Sequence, residues 1–288
     1  MCPQKIALLT DSCADIAPEL AAENHIYVVP LRILCSDGEY QDGVNIFNTD
    51  IYRYLQAGEL PKTSLPSTED FGKVMEQIIA EGYDGVIAVM MSSGLSGTYN
   101  LARLVAEECA EHIAMRAYDS LNASLGQGMI LLQLAKDIQN GMGWEELTER
   151  RVPQLIENTT AFFSVDTLEY LQKGGRIGKV TATAGALLQI KPVLSFAEDG
   201  QLTSVAKVRG RKQVMQKLME LTAQCAEGHQ RYNLAIANGG APEEMAVLRA
   251  QQVEALPNHD HIWEGEIDGT LSVYIGDGIL GAALQALD

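Results

Sequence analysis

Seven residues, Ser92-Ser93-Gly94-Leu95-Ser96-Gly97-Thr98, carry four hydroxyls and two glycines, a composition suited to holding an anion. The stretch follows a buried-strand pattern, Val86-Ile87-Ala88-Val89-Met90-Met91, and leads into a helical one from about Tyr99. The first N–H groups of a helix lack intrahelical partners and carry the positive end of its dipole, while glycine lets a ligand approach the main chain. Ser93, Ser96 and Thr98 would add hydroxyls, with the Gly94 to Gly97 backbone beneath. The plainer reading is a helix cap at Ser96 or Thr98 and a turn relieved by Gly94. Spacing alone leaves both open.

Other constellations point to less. Asp11 and Asp119 close strand-like runs and could act as acid and base, although capping and loop ordering are commoner work for such aspartates. Gly94-Leu95-Ser96-Gly97 lacks the Gly-x-Ser-x-Gly spacing of a nucleophile elbow. Gly174-Gly175-Arg176 lacks the Gly-Lys-Ser/Thr ending of a Walker loop, so no ATP site is expected there. His259-Asp260-His261 has no cysteine or further histidine nearby and reads as a solvated loop, leaving no metal site in view.

These residues need elements that bring them to a common edge. Lys5 to Leu9 reads as a strand ending in Thr10-Asp11-Ser12, and Ala14 to Glu23, with Pro18 early, as the helix that follows. Tyr27 to Ile33 reads as a second strand, Ser36 to Glu39 as a turn, and Thr49 to Leu55 as helical. A loop from Pro61 to Ser67 carries Thr63, and Ser67 with Asp70 has capping-box spacing before a helix to about Ala80. Asp84 to Met91, Tyr99 to Ala110, Met115 to Tyr118 and Ser124 to Gln139 then alternate strand and helix, the signature of a mostly parallel, doubly wound sheet. Ligands of such sheets sit outside the carboxyl ends of the strands. Thr10-Asp11-Ser12, Ser92 to Thr98 and Asp119-Ser120 all fall there, and Thr63 joins them if its loop folds over the same edge.

After about residue 157 the pattern changes. Ala161 to Val165 reads as a strand and Thr167 to Gln172 as a helix. Pro192 to Phe196 and Leu202 to Val208 flank a hairpin signal at Glu198-Asp199-Gly200, and Ile262 to Ile267 and Thr270 to Ile275 suggest a second around Asp268-Gly269. Helices are expected over Lys212 to Gln224 and Pro242 to Ala255. The fold class is therefore α/β in two domains: residues 1–157 as a mostly parallel doubly wound sheet, and residues 158–288 as an α+β domain with antiparallel hairpins.

The whole chain agrees. Its 288 residues are 47% hydrophobic and 20% charged, a globular composition large enough for two cores. A net charge of -17 argues against general nucleic-acid binding. Between Lys173 and Lys217, however, nine basic residues face two acidic ones, a net +7 that leaves -24 on the remainder. That island is either a docking or phosphate-binding face or an ordinary solvated surface. The five cysteines are scattered without a C-x-x-C pair, which argues against a disulfide framework. No apolar run approaches the roughly 18 residues of a membrane helix. Met1 to Lys5 leads straight into a strand-like run, so no cleavable signal is expected and the cytoplasm is the default location.

Thr10-Asp11-Ser12, Lys62-Thr63-Ser64-Leu65-Pro66-Ser67, Ser92 to Tyr99, Asp119-Ser120, Leu171-Gln172-Lys173-Gly174-Gly175-Arg176-Ile177 and Lys207-Val208-Arg209-Gly210 occur in that order across almost the whole chain. Together they resemble the DegV family. The resemblance implies a non-enzymatic carrier that buries one long-chain fatty acid between two domains, with no cofactor. It further implies presentation of the carboxylate to a separate ATP-dependent fatty acid kinase, whose acyl phosphate product enters phospholipid synthesis. On this chain it places the carboxylate at Thr63 and Ser96, supported by Ser93 and Gly94. Arg176 falls near the head group and the transferred phosphoryl, and Arg209 in a basic region facing the kinase. Where the family often has His-x-Gly-Pro-Gly, this chain reads Tyr274-Ile275-Gly276-Asp277-Gly278. Tyr274 could donate a hydrogen bond but would carry no positive charge near neutral pH, and Asp277 would repel an anion if it faced inward. For the tail, Thr181 to Leu188 and Ile279 to Leu284 mix small and large apolar residues, as a slot or ordinary helix packing would. The alternative function is an enzyme acting on a small anionic substrate through Asp11, Asp119 or Ser96.

Overall fold

The computed structural model describes residues 3–180 and 190–288. The chain begins with β1 (Ile6–Asp11), a 3-10 turn (Ser12–Ala14), α1 (Pro18–Glu23), β2 (Ile26–Val29), β3 (Arg32–Cys35), β4 (Gly38–Gln41) and α2 (Asn48–Gln56). It continues with β5 (Lys62–Ser64), α3 (Thr68–Ala80), β6 (Gly85–Met90), α4 (Thr98–Glu108), β7 (Ala114–Asp119) and α5 (Leu125–Gln139). Two short helices, α6 (Trp144–Glu146) and α7 (Val152–Glu157), flank a π-helical turn before β8 (Thr159–Ser164), α8 (Glu169–Lys173), β9 (Ile190–Phe196) and β10 (Leu202–Arg209). The remainder is α9 (Arg211–Ala226), β11 (Tyr232–Gly239), α10 (Pro242–Ala255), β12 (His259–Glu266), α11 (Gly269–Ile275) and β13 (Ile279–Ala286).

β1 and β6 are buried at every position, as continuous apolar strands of a parallel sheet covered on both faces must be. They form the centre of a parallel sheet in the order β2-β1-β6-β7. A second sheet of six strands, β10-β9-β8-β13-β11-β12, takes every strand from β8 onward. Its pairings are antiparallel except β11 with β12. Helix α5 lies between the sheets. Its Ile130, Leu131 and Leu134 pack with Leu8, Ile87 and Val89, while Leu125 and Met129 join Ala235, Ala237 and Ala283 of the other sheet. Twelve of its fifteen residues are buried, which is why the sequence shows no polar face there. α3 and α4 cover the outer side of the first sheet, and α9 and α10 that of the second.

Several expectations are revised, among them His259-Asp260-His261, which opens β12 beside Tyr232 rather than lying in a loop. Tyr27 to Ile33 forms two strands, because Pro30 has no N–H for a ladder. Beyond it β3 leaves the parallel sheet to join a small antiparallel sheet, β4-β3-β5. The Thr63 segment is not a loop: β5 pairs with β3, and Thr63 stands opposite Ile33. Thr270 to Ile275 is helical rather than the return arm of a hairpin, and β12 pairs parallel to β11. Asp268 decides this, because its carboxylate accepts the Leu271 N–H at 2.8 Å and caps a helix where Asp-Gly alone suggests a turn. Ile279 to Leu284 is likewise strand, not helix.

Candidate functional site

The Ser92 to Thr98 turn joins β6 to α4 and is largely satisfied by its own chain. The Leu95 and Ser96 N–H groups donate to Ser92 O at 3.0 and 3.1 Å, Gly94 N to Ser92 Oγ at 3.2 Å, and Ser93 N to Asp119 Oδ1 at 3.1 Å. Ser92 Oγ in turn donates 2.7 Å to Gly200 O in the β9–β10 turn. A Cβ on Gly94 would stand 2.4 Å from the Gly200 carbonyl carbon, so glycine is required here by a second loop of the protein. Ser96 remains at the inner side, its Oγ 2.9 Å from Thr98 Oγ1 and accepting the Thr98 N–H.

Thr63 Oγ1 lies 2.5 Å from the hydroxyl of Tyr274 on α11. The guanidinium carbon of Arg176 sits 4.8 Å from the Tyr274 ring centroid, a cation–π contact. Arg176 also donates to Gly174 O at 2.8 Å and to Leu95 O at 3.4 Å, tying α8's exit to the residue before Ser96. Gly174 makes room for the ring, since a Cβ there would lie 2.3 Å from Tyr274 Cδ1. Thr63, Tyr274, Arg176 and the Leu95–Ser96 turn therefore form one chain of contacts, though they come from four separate stretches of sequence.

α11 is fastened by carboxylates. Asp15 Oδ1 accepts the Asp268 N–H and Asp42 Oδ1 the Gly269 N–H, both at 2.9 Å, while Ser124 and Ser12 donate to the remaining oxygens of Asp15 and Asp42. Cys13 Sγ and carboxylate oxygens of Asp42 and Asp268 lie within 4.8 Å of one another. Burial, reinforced by these like charges, raises the acids Asp15 and Asp268 and the Cys13 thiol above their usual ranges. Asp11 is pushed up to about 6 by burial, partly offset by hydrogen bonds from Met91 N, Gln127 and Cys13 N. It ties the end of β1 to that of β6, and Asp119 accepts the Ser93 and Leu121 N–H groups. Both aspartates order loops, and neither lines the cavity described next.

A cavity of about 290 Å³ opens beside Thr63, Ser96, Arg176 and Tyr274. Among the described residues, Arg176 is the only charged one lining it. The rest is dominated by apolar side chains, including Leu31, Met91, Leu125, Phe196, Leu271 and Ile275. One wall is the inner face of the six-stranded sheet, where register sets Ala237, Gly281 and Phe163 in one row and Ala235, Ala283 and Ala161 in the next. Small side chains in adjacent rows leave the space. The following row, Asn233, Gln285 and Thr159, is polar and linked internally at 3.1 and 3.0 Å, with Asn233 also donating to Gln133 of α5 at 2.9 Å. The described lining stops short of that row.

Of the residues singled out from sequence, Thr63, Ser96, Arg176 and Tyr274 come together at the cavity. Ser93 is exposed, and Gly94 backs onto the β9–β10 turn; neither lines the cavity. Arg209 is exposed on β10, an edge strand. Asp277 is exposed and is not among the described lining residues. The basic island is weaker than its count: Lys173, Lys179, Lys191, Arg211 and Lys217 pair with Glu169, Asp199, Asp166, Glu244 and Glu220. Thr181 to Leu188 lies outside the described residues, whereas Ile279, Gly281, Ala282 and Ala283 of the other expected slot segment do line the cavity. Sequence reasoning missed Thr270 and Ser124, which also line it. The only signal for Thr270 was its place four residues before Tyr274, visible once that segment is known to be helical.

Two sheets sharing a central helix, with a largely apolar chamber and a guanidinium among hydroxyls at its rim, define an α/β protein whose chamber has the shape and polarity to hold an amphipathic anion. The chain matches the model of the DegV family of uncharacterised proteins over residues 5–287, and it belongs to that family. A DegV domain-containing protein of Clostridium acetobutylicum is 39% identical over 282 residues, 98% of this chain and 99% of the relative. A DegV family protein from Thermus thermophilus, whose structure is described for fatty acid binding, superposes with a TM-score of 0.91 at 30% identity, covering 99% of this chain and 100% of that one. DegV of Bacillus subtilis, a fatty acid binding protein, gives 0.87 at 27% identity over 98% and 99% of the two chains. Among the described residues, no helix is long and apolar enough to cross a membrane.

Proposed function

We propose that this protein binds one long-chain fatty acid in the cavity and presents its carboxylate to a separate ATP-dependent fatty acid kinase. The observation that carries the reading is the cavity's polarity: a largely apolar chamber whose one charged described lining residue, Arg176, sits among hydroxyls. In this reading Thr63, Ser96 and Tyr274 donate to the carboxylate, the bond between Thr63 and Tyr274 opening to free both hydroxyl hydrogens, and Arg176 balances its charge and later that of the transferred phosphoryl. Residues 1–157 supply Thr63 and the Ser96 turn to the carboxylate, and residues 158–288 add Arg176 and Tyr274 and cover the acyl chain, which lies over the Ala and Gly rows of the sheet. Burying a C16 to C18 tail at roughly 0.8 kcal/mol per methylene yields on the order of 10 kcal/mol before ordering costs. That gain survives only if the carboxylate keeps hydrogen-bond partners. The fatty acid binding of the Thermus and Bacillus relatives supports the ligand class.

The test is mass spectrometry of lipid extracted from purified protein, alongside thermal shift on adding palmitate or oleate. A stoichiometric fatty acid and a raised melting temperature are expected; finding neither overturns the reading. For the partner, charge reversal at exposed Arg209 should slow phosphorylation by a cognate kinase without changing lipid affinity. An unchanged rate would remove that surface from the model of presentation.

A further inference from the structure

Threonines inside helices usually satisfy their hydroxyls by donating to the carbonyl four residues back. Here Thr148 donates to Trp144 O and Thr222 to Leu218 O, each at 2.8 Å. Thr270 does not. It is the second residue of α11, so the position four back, Glu266, lies in β12 outside the helix. Its Oγ1 is buried with no hydrogen-bond partner, the residue is 2% exposed, and it lines the cavity. A buried hydroxyl left unmatched costs stability, and protein interiors seldom tolerate one without cause.

The helix places this hydroxyl with the polar cluster. Thr270 and Tyr274 are separated by one turn and share a face, and long helical side chains lean toward the N-terminus, which carries the Tyr274 ring back over the Thr270 turn. Tyr274 touches Thr63, so the orphan hydroxyl belongs to the same end of the cavity. We propose that Thr270 is a further binding residue for the ligand head group, donating its Oγ–H to an anionic oxygen of a long-chain carboxylate. This inference rests on the fatty acid reading above.

Thr270→Val removes the hydroxyl and keeps the shape. The ligand-free variant should melt at or above the wild-type temperature, because an unpaired polar group is gone, while the Kd for palmitate rises roughly tenfold, as for a lost hydrogen bond to a charged group. Thr270→Ser, which restores the hydroxyl, should bind within about twofold of wild type. Equal palmitate affinity in wild type and the valine variant overturns the inference. So does equal loss in the valine and serine variants, which would mark a packing role. A wild-type protein that binds no palmitate instead overturns the fatty acid reading itself.

Discussion

Tyr274 joins the site's parts at the residue scale, since its hydroxyl meets Thr63 and its ring lies under Arg176. If the hydroxyls hold a carboxylate, Thr63→Ala and Ser96→Ala should each weaken palmitate binding by roughly tenfold, a charged hydrogen bond being worth about 1.5–3 kcal/mol. Unaltered circular dichroism with unchanged affinity in the double variant would remove both from the site. Gly174 gives a sharper structural prediction. Gly174→Ala forces a Cβ into the Tyr274 ring and should cost about 1–3 kcal/mol in urea unfolding, with most of the loss recovered when Tyr274 is also shortened to Ser. Additive losses would mean the clash is relieved elsewhere. Thr63, Ser96 and Arg176 were legible in sequence because each sits in a motif that matches a family pattern. Thr270 was not, because a lone threonine in a supposed strand carries no signal until the helix aligns it with Tyr274. Gly94 looked like a ligand cradle, but its missing side chain serves the Gly200–Gln201 backbone, a neighbour more than a hundred residues away.

The elements that shape the cavity are α5, α11 and the inner face of β8, β13 and β11. Alternation along β13 sends Gly281 and Ala283 inward and Leu280 outward to α9 and α10, so one strand builds both a chamber wall and a core. Because the lining among the described residues stops before the polar row Asn233, Gln285 and Thr159, the alanine row forms the far end of the described chamber. Ala283→Leu should then shift selection toward shorter acyl chains, lowering binding of C18 relative to C14 by roughly fivefold or more, at about 0.8 kcal/mol per methylene displaced. Competition among saturated acids of graded length measures this, and an unchanged preference would put the tail elsewhere. Strand and helix periodicity located most elements. It failed at α11, where Asp268 has a capping role that resembles a hairpin turn in sequence, and at β5, whose three residues become a strand only by pairing with β3.

Across the whole molecule, the acidic cluster that fastens α11 couples the site to pH. Asp11, raised to about 6 against an ordinary value of 3.8, and the likewise raised Asp15 and Asp268 bind more protons folded than unfolded between about pH 4 and pH 7. Their contribution to stability therefore falls as pH rises through that interval and returns on acidification. The urea midpoint should be higher near pH 5 than near pH 7.5. Asp15→Asn, tolerated at a φ of 52°, should flatten this dependence by about 1 kcal/mol or more. An unchanged slope would exclude Asp15 as a source. The acidity of the chain as a whole was plain from composition, but the pairing that neutralises much of its basic island required the fold. The sequence by itself determined the alternating α/β plan, the parallel first sheet and the motifs of the polar rim, because periodicity and turn chemistry are local. Only the tertiary structure decided that α5 is shared by both sheets, that Tyr274 reaches Thr63, and that small residues from three strands lie in common rows. Those facts depend on register and packing between distant segments, which no local pattern encodes.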